Sequence, residues 1–218
     1  MILLCCKRLP ENISRSELAL HVRLGFPHKA NTDYITALEQ KASTASALES
    51  LLALSTLREL ISQLPYEVNA AELVLSRTES GKPYFLNSNL KFNLSHSGGI
   101  AACALSDEDE VGIDIECAKK SDGQAIKIAT RFFSQDDSQA ISKDPSAFTR
   151  VWSEKEAQSK FFGMELSKFL DLEKNGDGLA KKSKLSSNVA LHRFTYCKTP
   201  VTLCTTRDFS TIKFIFST

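Results

Sequence analysis

The stretch VGIDIE, Val111 to Glu116, constrains the fold more than any other part of the chain. Three β-branched residues at alternate positions, with Gly112, Asp114 and Glu116 between them, fit a β-strand. Side chains then alternate across the sheet, so Val111, Ile113 and Ile115 enter an apolar core while both carboxylates share the opposite face. Like charges on one face repel. That face is expected either to be solvated, as on the outside of an edge strand, or to hold a cation between the acids.

The surrounding pattern defines the fold class. MILLCC at the start reads as a first strand. Ser14 with Glu17 forms a capping-box signature ahead of a short helix ending at Gly25. Residues 26–41 are ambiguous. The spacing of Leu48, Leu51, Leu52, Leu60, Ile61 and Leu64 predicts a long amphipathic helix over about 45–64, ended by Pro65. Strands are expected within ELVLSRT (72–78), LKFNLS (90–95), IAACALS (100–106) and VGIDIE, separated by turn residues. Residues 123–142 read as helical, with Ser134 and Asp137 marking a second start, and another helix runs from near Pro145 to Gly163. The polar stretch 173–188 reads as a loop, followed by closing strands at about 189–196, 200–205 and 211–217. This order predicts an α+β fold of two similar-sized parts, residues 1–108 and 109–218.

Composition narrows the function classes. Lys and Arg total 27 against 26 Asp and Glu, a formal net charge of +1, so no global field favours nucleic acid or an anionic membrane, and neither is expected as a partner. Six cysteines without a CxxC pair and four scattered histidines do not form a zinc pattern. The cysteines read as buried free thiols. MILLCC is too short for a signal segment and no apolar run is long enough to span a bilayer, so a cytoplasmic location is the expectation, and a monomer is expected as well.

Three segments carry chemistry. WSEKEAQSK places Trp152, Glu156 and Lys160 four residues apart on one helical face. Alone, Glu156 and Lys160 read as an exposed ion pair, although Trp152 on the same stripe points inward. Joined by Asp114 and Glu116, Glu156 completes a trio of hard oxygen donors of the kind that holds magnesium beside phosphates. Lys160 is then placed to meet a phosphate oxygen or a leaving group. FNLSHSGG ends in a donor-rich turn, Ser95, His96 and Ser97, followed by two glycines that let backbone approach an anion. SGKP adds Lys82 in a turn.

In this order, GKP, FNLSHS, VGIDIE, RFFS and WSEKEAQSK, from Gly81 to Lys160, resemble the motifs of the 4′-phosphopantetheinyl transferases, in particular the surfactin-synthetase-activating type with two halves fused in one chain. The resemblance implies two pseudo-symmetric α+β halves with the active site between them. It implies transfer of the phosphopantetheine arm of coenzyme A to a serine of an acyl or peptidyl carrier protein, with release of 3′,5′-ADP. By motif match, Asp114, Glu116 and Glu156 would bind Mg²⁺, Glu156 and Lys160 would be catalytic, and Lys82, Ser95, His96 and Lys160 would contact coenzyme A. Lys29, with Lys41, is the candidate for the adenosine 3′-phosphate, and Asp137 stands where the family often has glutamate. The corresponding family surface at FFGMELSKFLDL meets the carrier, whose recognition helix is acidic, so Lys155 and Lys168 are expected in a basic patch there. Two rival readings are a magnesium-dependent hydrolase of pyrophosphate-containing nucleotides and a non-catalytic coenzyme A or carrier-binding module. The pathway served, whether fatty acid, polyketide or nonribosomal peptide synthesis, is not encoded in these residues.

Overall fold

A computed structural model describes residues 1–175 and 189–215. The first sheet has strand order β4-β5-β1-β9 and combines β1 (Ile2–Arg8), β4 (Lys91–Ser97), β5 (Ile100–Ser106) and β9 (Ile212–Phe214). β1 and β4 both pair antiparallel with β5, and β9 joins β1 in parallel, so residues from both ends of the chain build one sheet. Both faces of this sheet are covered. Leu3, Cys5, Phe92, Cys103 and Leu105 pack against α1 (Arg15–Gly25), α2 (Asn31–Glu39) and α3 (Thr44–Ser62). On the other face, Ile2, Leu4, Ala102 and Ala104 meet Val111, Ile113, Ile115, Val201 and Leu203 of the second sheet. The small side chains of β5, which is buried throughout, let the two sheets approach closely.

The second sheet, β6-β8-β7, is antiparallel and contains β6 (Gly112–Ile115), β7 (Ala190–Tyr196) and β8 (Thr199–Thr205). Its outer face carries α6 (Phe148–Phe161), through Ala157 and Phe161 against Cys204. Around α6 lie α4 (Asp122–Phe132), α5 (Gln135–Lys143) and α7 (Leu166–Lys174), joined in one apolar cluster by Phe133, Phe148, Val151 and Phe169. The layers thus run helices, sheet, sheet, helices. A small hairpin, β2 (Leu75–Arg77) with β3 (Pro83–Phe85), flanks the first sheet. The class is the expected α+β, with small and mostly antiparallel sheets.

Local signals account for the boundaries. The Ser14 and Glu17 capping box is formed in both directions, and Ser134 caps α5 by accepting from the Asp137 N–H. Pro145 opens a short 3-10 turn, Pro145–Ala147, from which α6 continues. The ambiguous stretch contains α2, whose Asn31 is fully buried and donates to Phe26 O and Leu73 O while accepting from Leu75 N. α7 overlaps the start of the expected 173–188 loop. Residues 176–188 of that loop, and 216–217 of the last expected strand, lie outside the described residues.

Candidate active site

The site begins at a join between the two sheets. β4 and β6 lie side by side in different sheets, and side chains replace the backbone ladder between them. Asn93 Oδ1 accepts from Ile113 N at 2.8 Å, Ser95 Oγ from Ile115 N at 3.3 Å, and Ser97 Oγ from Cys117 N at 3.0 Å. The period of two places all three on one side of β4. Each serine then donates its own proton to an acid, Ser95 to Asp114 Oδ1 and Ser97 to Glu116 Oε1, both at 2.9 Å. The SHS and GIDIE segments are therefore two edges of one joint.

Val111, Ile113 and Ile115 enter the core between the sheets as the alternation predicts. The opposite face is not solvated, however, because α6 lies across it. A Cβ on Gly112 would sit 2.0 Å from Ala157 O and 2.5 Å from Phe161 N, so the helix backbone rests where only glycine leaves room. That approach delivers Lys160. Its Nζ donates to Asp114 Oδ1 at 2.6 Å and to Ser95 Oγ at 3.1 Å, and lies 3.3 Å from Glu156 Oε2. Burial pulls the Lys160 pKa down, but Asp114 and Glu156 outweigh it and raise the pKa above the ordinary lysine value. A cation does sit against Asp114, but it is this ammonium, shared with Glu156 and not with Glu116 as the strand pattern suggested.

Asp114 and Glu156 thus turn carboxylate oxygens onto one cation, and hard oxygen donors gathered in this way suit a magnesium ion. Glu116 is held differently, its Oε1 accepting from Ser97 Oγ and from Ala118 N at 2.7 Å. Among the described residues no three acidic, histidine or cysteine side chains are gathered as a metal cluster.

Lys160 forms one wall of a cavity of about 250 Å³ whose other polar lining includes Lys41, Arg77, Lys82 and His96. No Asp or Glu is among its lining residues, so the space favours a polyanion. Lys82 Nζ is held by Glu110 Oε2 at 2.7 Å and by Val111 O. Arg77 donates to Gly81 O and lies with its guanidinium 4.7 Å from the centre of the Tyr34 ring. Arg77 was not anticipated, because its position depends on the β2–β3 hairpin and β3 has no clear sequence pattern. Lys41, offered only as a companion to Lys29, is in the cavity wall, whereas Lys29 is exposed and not part of the lining. Ser95 faces Asp114 and does not line the cavity. The glycines after Ser97 form the β4–β5 hairpin turn, both at positive φ.

Lys155 does not lie in a basic surface patch. It is buried, donating to Asp137 Oδ2 and Glu173 Oε1, both at 2.5 Å, which explains the carboxylate at position 137 as a partner for this lysine. Lys168 is exposed beside Glu165. The apolar stretch after α6 is core: Phe169 and Leu170 are buried, with Phe162, Met164 and Leu166 packed beside them.

Against known proteins, residues 110–204 match the model of the 4′-phosphopantetheinyl transferase superfamily. Over that stretch the chain is similar to members of that superfamily. It is 29% identical over 168 residues to "4′-phosphopantetheinyl transferase gsp" of Aneurinibacillus migulanus, covering 75% of this chain and 66% of the relative. It is 37% identical over 131 residues to "4′-phosphopantetheinyl transferase ffp" of Bacillus subtilis, covering 57% and 56%. It is also 37% identical over 119 residues to "4′-phosphopantetheinyl transferase AcpT" of Salmonella typhi, covering 45% and 62%. In each case the match spans less than two thirds of the relative. No described helix is long and apolar enough to cross a membrane.

Proposed function

We propose that the chain is a 4′-phosphopantetheinyl transferase, moving the phosphopantetheine arm of coenzyme A to a serine of an acyl or peptidyl carrier protein. The observation that carries this reading is the Lys160 ammonium, held between Asp114 and Glu156 at the wall of a cavity lined by cations. The co-substrate is a polyanion whose phosphates need compensation, and Lys41, Arg77, Lys82 and His96 offer it before the reaction begins. The serine oxygen forms a bond to the phosphorus bearing pantetheine as that phosphorus loses its bond to the departing 3′,5′-ADP. The hydroxyl proton passes to Glu156, and Lys160 neutralises or protonates the leaving phosphate. Asp114, Glu116 and Glu156 are the residues that would hold Mg²⁺, which when bound would neutralise pyrophosphate charge.

The acceptor side of the site is the cleft of about 590 Å³ beside Glu116, whose lining includes Lys119, Lys120, Arg150 and Lys198. Its charge suits an acidic carrier helix better than the buried Lys155 does. Intact-mass measurement of an apo carrier protein after incubation with coenzyme A and Mg²⁺ tests the reading. The expected result is a magnesium-dependent gain of one phosphopantetheine. Coenzyme A cleavage with the carrier unmodified would identify a hydrolase, and binding without turnover would identify a non-catalytic module.

A further inference from the structure

His96 is surrounded by more hydrogen-bonding structure than an anion contact alone requires. Glu49, on α3, accepts from Gly99 N at 2.6 Å with one carboxylate oxygen and meets His96 Nδ1 at 2.9 Å with the other. The opposite ring nitrogen, Nε2, lies 3.0 Å from Ser50 Oγ. Ser50 in turn donates to Ser46 O at 2.7 Å and accepts from Lys41 Nζ at 2.7 Å. A carboxylate cannot donate, so the ring proton beside Glu49 is on Nδ1. Ser50 has one proton, engaged by Ser46 O, and its free lone pair faces Nε2. All of these bonds are made together when Nε2 also carries a proton; a neutral ring requires Ser50 to abandon Ser46.

From this geometry we infer that Glu49 is a positioning residue. It orients His96 by accepting from Nδ1 and favours the imidazolium relative to a ring without it, so that the ring adds positive charge beside Lys41 in the cavity wall, and an anionic group would meet the Nε2–H only by displacing Ser50 Oγ. The inference rests on the transferase reading and adds to it a residue on α3, outside every motif that carried the family resemblance. Other charges facing the ring are Lys41 and Lys160, both opposing its protonation. Burial and these lysines together exceed the pull of Glu49, leaving the His96 pKa below the ordinary histidine value. Glu49 thus limits a depression that would otherwise be deeper.

The test is the isosteric variant Glu49→Gln, which keeps an acceptor for Gly99 N and removes the charge. His96 is followed by ring nitrogen and carbon shifts in NMR titrations, and 3′,5′-ADP binding is followed by calorimetry. The expected outcomes are a lower His96 titration midpoint and about tenfold weaker nucleotide binding. His96→Ala should weaken binding similarly, and the double variant no further than either alone. An unmoved midpoint, or additive losses in the double variant, would overturn the positioning role. A midpoint lowered by Glu49→Gln, with a wild-type protein that binds neither 3′,5′-ADP nor coenzyme A, would leave the Glu49–His96 coupling in place and sink the transferase reading.

Discussion

Helix α6 carries two lysines five residues apart, each set between two carboxylates, and the two clusters differ in which members are buried. Around Lys155 the lysine is dry, 7% exposed, with Asp137 at 32% and Glu173 at 13%. Around Lys160 the acid Asp114 is dry, 6% exposed, while Lys160 and Glu156 keep 25% and 27%. In the first cluster a cation is enclosed by acids from α5 and α7 and has no access to a ligand. In the second a buried acid anchors a cation that still reaches the cavity. Similar ionic composition thus serves helix assembly on one side of α6 and presents a cation to the cavity on the other.

Gly112→Ala should strike both clusters at once. Its methyl group would displace α6 from β6, costing at least about 3 kcal/mol and abolishing activity; a variant with native stability in urea would show that α6 is free to shift. Lys155→Met should be the next most damaging to stability. It leaves Asp137 and Glu173 without their buried partner, at a cost of about 3–5 kcal/mol, and Glu173→Gln added to it should recover part of the loss. Activity per folded molecule should persist, and its disappearance would erase the distinction between the clusters. Lys160→Met should lose about a hundredfold or more in turnover, with a stability cost of similar size because the buried Asp114 carboxylate is left without its cation. Lys119→Glu with Lys120→Glu, in the cleft proposed for the carrier protein, should slow association about tenfold at low salt and less at high salt, measured by stopped flow.

The weakest effect concerns pH. Because His96 titrates below its ordinary value in the folded chain, the unfolded chain binds that proton more readily between the two values. Stability due to His96 therefore falls as the solution is acidified through that window and is fully present above it. Lys160, with its raised pKa, stays charged throughout and contributes no slope there. His96→Gln should flatten the pH dependence of unfolding free energy near pH 6 relative to wild type. An unchanged slope would remove His96 from the titrating groups.

Much of this was legible in short-range patterns. The alternation in VGIDIE placed three residues correctly in the core, Ser14 with Glu17 marked a helix start, and the spacing of Trp152, Glu156 and Lys160 identified α6. What escaped depended on distant partners. Gly112 reads as a gap in a strand until α6 lands on it, and the acidic face then turns from solvated to covered. Lys155 and Lys160 are both plausible surface lysines until α5 and α7 enclose one of them. Arg77 needed the β2–β3 hairpin to turn it into the cavity. Glu49 was hidden because its role arises only when α3 packs beneath the β4–β5 turn.

The parallel pairing of β9 with β1 also orders events during biosynthesis. β1, β4 and β5 emerge from the ribosome long before residue 212, a delay of roughly 5–20 s at ordinary elongation rates. During that interval the free edge of β1 is a template without its own strand, and the nascent first sheet waits with that edge open to mispairing.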